Sequence, residues 1–129
     1  MSVGYTLPHY ARSLGLFIAG TEDGAPLLAC DPCETILGRP GFWHGGATSA
    51  LLEAAALAAA ATAPGSAGRQ LRTANMTVQF FRGGGLERTF ALGRVERAGR
   101  RLLNLRVEAW QADRARPVAG ATMHVMVVG

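Results

Sequence analysis

The sequence predicts an α+β fold in which one antiparallel sheet curls around a single long, buried helix. Two observations carry this. Residues 47–63, "ATSALLEAAALAAAATA", are apolar nearly all round past the first helical turn, so a helix there must be covered on most sides. From residue 70 onward the pattern becomes alternating, with turn residues between short runs, as in strands with one buried face. One sheet packed on one helix is the simplest architecture that buries both.

Residues 8–14 are expected to form a short helix. "LGLFIAG" (14–20) and "APLLAC" (25–30) read as strands joined by the hairpin signal "TEDG". "DPCETILGRPGFW" (31–43) is a Gly/Pro loop, and the long helix after it is stopped by Pro64 and Gly65. In "RTANMTVQF" (72–80), Ala74, Met76, Val78 and Phe80 alternate with Thr73, Asn75, Thr77 and Gln79, which puts the first set on the buried face. Gly83–Gly85 breaks that strand. Three more are expected over roughly 88–97, 102–112 and 117–128, separated by "ERAGRR" and "ADRARP". Short turns make these later strands consecutive antiparallel neighbours in a meander. The length fits one domain, residues 1–129.

The totals exclude several classes. With 49% hydrophobic and 17% charged residues, the chain is globular and not disordered. A net charge of +4, carried by thirteen arginines and no lysine, favours anionic partners. Nucleic acid is not expected, because the basic residues are not interleaved with aromatics. The N-terminus has no basic lead before an apolar core, so no signal peptide is expected. The apolar run is near the lower limit for a membrane span and carries Glu53, Ser49 and two threonines, so no membrane segment is expected either. Cys30 and Cys33 form one C-x-x-C. Zinc needs four ligands, and a redox pair opens a helix after a strand, whereas this one precedes a Gly/Pro loop. They are read as reduced cysteines of a cytoplasmic protein. No metal or cofactor is expected.

Chemistry concentrates at two places. His44-Gly45-Gly46 lies at the helix entrance, where unpaired N–H groups and the positive end of the dipole stabilise an anion or a polarised carbonyl oxygen. Taken alone, the motif reads rather as a glycine-rich turn entering a helix, with His44 a half-buried hydrogen-bonding residue. Glu53 is the lone acid of the apolar segment, and burying an unpaired carboxylate costs several kcal/mol. Either it reaches a cleft, or it is protonated or hydrogen-bonded, or an arginine from the sheet pairs with it. His44 and Glu53 are nine positions apart, roughly 13 Å of rise, and point to opposite sides. One chain cannot bring them together, but a dimer with helices side by side can.

"HGGATSALLEAAALAAA" resembles the signature of hotdog-fold acyl-CoA thioesterases of the PaaI-like group, in which an acid follows nine residues after the histidine of His-Gly-Gly. "MTVQFFRGG" and the strands over 88–128 resemble the rest of their sheet, so the likeness spans roughly residues 12–128. The resemblance implies a homodimer or dimer of dimers that hydrolyses acyl-CoA at the subunit interface. The Gly45 amide would polarise the thioester carbonyl, His44 and Gly46 would shape that site, and Glu53 of the partner would act as nucleophile or general base. Phe42 and Trp43 are candidates for the acyl pocket, or for loop anchors. Arg82, Arg97 and Arg100 are candidates for the phosphates of coenzyme A. Two positions depart from the family pattern: Gly38 stands where Asn or Gln is common, and Leu57 where Ser or Thr is common. These departures motivate the alternative, a non-catalytic hotdog module that binds acyl-CoA or acyl carrier protein.

Overall fold

The computed structural model describes residues 5–66 and 68–128; residues 1–4, where the reading of the N-terminus begins, and residues 67 and 129 lie outside them. The elements run α1 (His9–Ser13), β1 (Leu16–Glu22), β2 (Ala25–Cys30), a short 3-10 helix (Glu34–Ile36), α2 (Gly45–Thr62), β3 (Gln70–Phe80), β4 (Thr89–Ala98), β5 (Leu102–Trp110) and β6 (Ala119–Val128). The six strands form one antiparallel sheet in the order β1-β2-β4-β5-β6-β3. The sheet wraps α2, which packs on β2, β3, β4, β5 and β6. This is the curled sheet around one central helix, the hotdog arrangement.

The hairpin between β1 and β2 is tighter than expected. Glu22 pairs with Ala25, which leaves a two-residue turn. Asp23 (φ 51°) and Gly24 (φ 81°) both take the left-handed conformation that such a turn demands, and Asp-Gly is the dipeptide that adopts it readily. A 3-10 helix also appears inside the segment read as loop.

The meander is corrected. β5 and β6 follow β4 as expected, but β3 lies at the far edge beside β6, and β4 pairs with β2 instead. The connection 81–88 is too long for a hairpin, and it is pinned across the start of α2. There Trp43 N–H donates to the Gly84 carbonyl at 2.9 Å and Trp43 Nε1 to the Glu87 carbonyl at 3.2 Å. The chain therefore passes over the helix entrance before β4 begins.

The helix is buried through small side chains. Ala54, Ala55, Ala56, Ala58 and Ala60 are buried, as are Leu51 and Leu52. Close approach to the sheet depends on Gly93 of β4. A Cβ there would sit 2.8 Å from the Ala55 carbonyl oxygen and 2.9 Å from Ala56 Cα. One stripe escapes the sheet. Ser49, Glu53, Leu57 and Ala61, spaced four apart on one helix face, and Ala50 beside Ser49 are only half-buried.

Gly93→Ala is expected to destabilise the fold by about 1–3 kcal/mol, because the methyl group meets backbone that cannot step aside. Urea unfolding checks this, and an unchanged midpoint would mean that helix and sheet are not in such close contact.

Candidate active site

His44 is the N-cap of α2, with extended backbone (φ −70°, ψ 135°). Its Nδ1 accepts from the Gly46 amide at 2.8 Å. The imidazole thus does the work that Ser or Asp does at other helix starts, and in its neutral form the proton sits on Nε2. Gly46 has to be small here, since a Cβ would lie 2.9 Å from His44 Nδ1.

The amides of the first turn can be accounted for one by one. His44 N–H donates to the Ile36 carbonyl at 2.8 Å, Gly46 N–H goes to the imidazole, and Ala47 N–H donates to the His44 carbonyl at 3.0 Å. Among the described residues, the Gly45 amide alone of these has no acceptor within the chain. Gly45 is exposed and borders a cavity of about 330 Å3 whose wall includes Trp43, Thr48, Phe80, Arg82 and Gly84. The donor, the aromatic walls and one cation converge at this end of the helix.

Of the other sequence-predicted residues, Trp43 and Arg82 reach this cavity. Phe42 does not. Its ring packs against Gly83, where a Cβ would come within 2.9 Å, and carries the Arg39 guanidinium 4.2 Å from its centroid. It anchors two loops to each other. Arg82 Nε donates to the Pro117 carbonyl at 3.3 Å, which holds its head near the cavity mouth. Arg97 and Arg100 lie elsewhere, exposed at the β4–β5 turn. The register Ala98–Leu103–Val125–Thr73 sets that turn level with Thr73 of β3, three strand spacings or roughly 14 Å along the sheet.

Glu53 is half-buried on the stripe that the sheet leaves open. Thr73 Oγ1–H donates to Glu53 Oε2 at 2.9 Å. Of the possible partners for the lone acid, the structure has the hydrogen bond; among the described residues no arginine forms an ion pair with it. Its other oxygen, Oε1, has no protein hydrogen bond among them. Glu53 follows Gly45 by eight residues, roughly 12 Å along the axis, and does not border the Gly45 cavity. Within one chain the two halves stay apart.

Sequence reasoning missed Thr73. Alternation placed it on the outer face, with Ala74 and Phe80 inside; in the structure Ala74 and Phe80 are exposed. The pairing of β3 with β6 slips between Thr73 and Asn75, and this bulge turns Thr73 inward to the helix. The only signal in the sequence was the need of a lone acid for a donor.

The two departures also have structural content. A Cβ at Gly38 would lie 2.9 Å from His44 Cα and 3.3 Å from the Trp43 carbonyl oxygen, so the loop as shaped excludes a side chain there. Leu57 is half-buried, one turn beyond Glu53 on the open stripe, and Thr48 bonds back to the His44 carbonyl at 3.4 Å.

A sequence model described as the thioesterase superfamily matches residues 40–118, the span that holds α2, its entrance and β3 to β5. Among solved structures, the chain is similar to a conserved protein of Pseudomonas aeruginosa at 25% identity and TM-score 0.81, with 95% of each chain covered. It is also similar to a phenylacetic acid degradation-related protein of Ralstonia eutropha at 26% identity and TM-score 0.76, over 95% of this chain and 92% of that one. A variant of the phenylacetic acid degradation protein PaaI of Thermus thermophilus shares the fold at 24% identity and TM-score 0.77, over 92% of this chain and 98% of that one. No curated protein sequence matches the chain. Among the described residues, no helix is long and apolar enough to cross a membrane.

His44→Ala is expected to cost about 0.5–2 kcal/mol through loss of the cap, and His44→Asn to recover most of it, since Asn caps well. Thermal unfolding of both variants checks this. Equal losses would mean that the imidazole does not cap the helix.

Proposed function

Because the chain belongs to the thioesterase superfamily, a family of thioester hydrolases, we propose that it hydrolyses acyl-CoA thioesters at two equivalent sites of a cytoplasmic homodimer. The observation that carries this reading is Glu53: an acid on the open stripe of α2, pinned through one oxygen by Thr73, with the other oxygen free among the described residues. A carboxylate so held is aimed but not consumed.

The Gly45 amide donates to the thioester carbonyl oxygen, and the start of α2 adds its positive dipole as charge builds there. Glu53 of the partner then acts in one of two ways. It takes a proton from water, whose oxygen attacks the carbonyl carbon. Alternatively it attacks that carbon itself, and water later cleaves the mixed anhydride. In both cases the carbon–sulfur bond breaks and the coenzyme A thiolate leaves and takes up a proton. His44 holds the Gly45–Gly46 turn in place. Trp43 bounds the cavity, Phe42 braces its loops, and Gly46 keeps room for the imidazole. Arg82 serves phosphates at the Gly45 end, while Arg97 and Arg100 serve them at the level of Glu53.

A second subunit is needed because one chain keeps Gly45 and Glu53 apart. Three features support it: the half-buried stripe of α2, the free edge of β3, and exposed Phe80 beside Gly45. A two-fold pairing over that surface makes two sites at once. A dimer of dimers is an extension of the same reading.

The alternative is a non-catalytic module that binds acyl-CoA or acyl carrier protein. The glycine required at position 38 favours it, because no amide side chain can help there.

Release of free coenzyme A from a panel of aryl and aliphatic acyl-CoAs separates the two. Turnover is expected in the wild type and a loss of roughly 10²–10⁴-fold in Glu53→Ala. Full turnover in that variant would refute the assigned role, and tight binding without hydrolysis would favour the module. Thr73→Val is expected to lower turnover about tenfold or more, the worth of one hydrogen bond to a charged group. Sedimentation is expected to give a dimer, and a monomer at micromolar concentration would remove the shared site.

A further inference from the structure

The C-x-x-C pair does not behave as two separate residues of a loop. Cys30 ends β2, and Cys33 caps the 3-10 helix Glu34–Ile36, so the motif does open a helical turn after a strand. Both sulfurs converge on one point: Cys30 Sγ lies 3.6 Å and Cys33 Sγ 4.0 Å from the Leu14 carbonyl oxygen. They also face the same side of Gly15, where an added Cβ would be 3.9 Å and 3.8 Å from them. Gly15 has φ +87°, so a side chain is disfavoured at the place that both thiols face. Asp31 between them is clamped by Arg88 through two bonds of 2.6 and 2.9 Å, which holds the segment in register.

The two thiols differ in access. Cys33 is exposed and within 2.9 Å of the Thr35 hydroxyl, while Cys30 is buried. Burial, then the neighbouring Cys33, then Asp31, push the Cys30 thiol up to about 11. That leaves Cys33 as the entry point for exchange and Cys30 as the inner partner.

The short helix is wired to the candidate active site. The Cys33 carbonyl accepts from Ile36 N–H at 3.2 Å, and the Ile36 carbonyl accepts from His44 N–H at 2.8 Å. Leu37 forms an antiparallel bridge with Trp43. A change of geometry at Cys33 is thus two hydrogen bonds from the residue that caps α2.

We infer that Cys30 and Cys33 form a reversible disulfide, made by exchange with a low-molecular-weight disulfide, that resets the 3-10 helix and with it the cap of α2. In the first step the Cys33 thiolate attacks one sulfur of the small disulfide. A mixed disulfide forms, and the first small thiolate leaves and takes up the proton that Cys33 lost. Cys30 then attacks Cys33 Sγ, giving up its proton as the new sulfur–sulfur bond forms, and the second small thiolate leaves and takes up that proton. Two protein thiols are oxidised to one disulfide, and one small disulfide is reduced to two thiols.

The test is thiol counting and intact mass of the full chain in glutathione buffers stepped from reducing to oxidising. The wild type is expected to lose both thiols together, with a mass lower by two hydrogens, and to regain them in dithiothreitol. Cys30→Ser is expected to keep a glutathione adduct on Cys33, and Cys33→Ser to stay reduced at Cys30. A lasting adduct on wild-type Cys33, or two free thiols at the most oxidising ratio, overturns the proposal. The coupling to the cap rests on the hydrolase reading and has its own readout. Oxidised wild type is expected to lose turnover several-fold and recover on reduction, while Cys33→Ser is unmoved by the same buffers. A disulfide that forms without changing the turnover of an active enzyme overturns the coupling. If no acyl-CoA is hydrolysed at all, the thiol and mass readings still decide whether the disulfide forms.

Discussion

The fold is governed by a helix that has no polar face. Over most of α2, alanine and leucine leave water nothing to solvate, so the sheet must curl until it covers the helix on every side but one stripe. Alanine makes the curl possible by letting backbones approach, and Gly93 completes the approach from the sheet side. β3 is carried to the far edge because the chain crosses over the helix entrance between β3 and β4. The same constraint explains the stripe of Ser49, Ala50, Glu53, Leu57 and Ala61. A sheet of this length runs out before it closes around the helix, and the uncovered stripe is where an acid can sit without being fully desolvated.

The groups on which the proposed function rests lie where this packing ends. At the start of α2, among the described residues, the amides of His44, Gly46 and Ala47 find partners and that of Gly45 does not, and the histidine that arranges this is itself the cap. On the open stripe, Glu53 has one donor, Thr73, on Oε2 and, among the described residues, none on Oε1. Each half alone is an ordinary way to finish a helix or satisfy a carboxylate. Together, on a surface that leaves an apolar helix face and a strand edge uncovered, they are the two halves of the proposed site. The 3-10 helix before His44 ties a cysteine pair to the first half.

Much of this was legible in the sequence. The apolar run marks the central helix, the lone acid marks itself by its cost, and the nine-residue spacing from His44 sets the two groups apart along the helix. The alternation of β5 and β6 held, because both strands are interior and bury one full face. β3 misled, because an edge strand tolerates a bulge that costs little there and alternation cannot register it. That bulge is what exchanges Thr73 for Ala74 on the inner face. The strand order was equally hidden, since eight residues at 81–88 read as a broken hairpin until their contacts with Trp43 are known. The capping role of His44 was invisible for a different reason: histidine is not a residue that announces a helix start.

The central claim is that Gly45 of one subunit and Glu53 of the other make one site. Gly45→Pro removes that amide at a position where helices accept proline, after a residue already in the extended conformation proline requires. Gly45→Pro and Glu53→Ala homodimers are each expected to be inactive, and an equal mixture refolded together to regain about a quarter of wild-type turnover, from mixed dimers with one intact site. A mixture as inactive as its components, with mixed dimers demonstrated, would contradict the shared site.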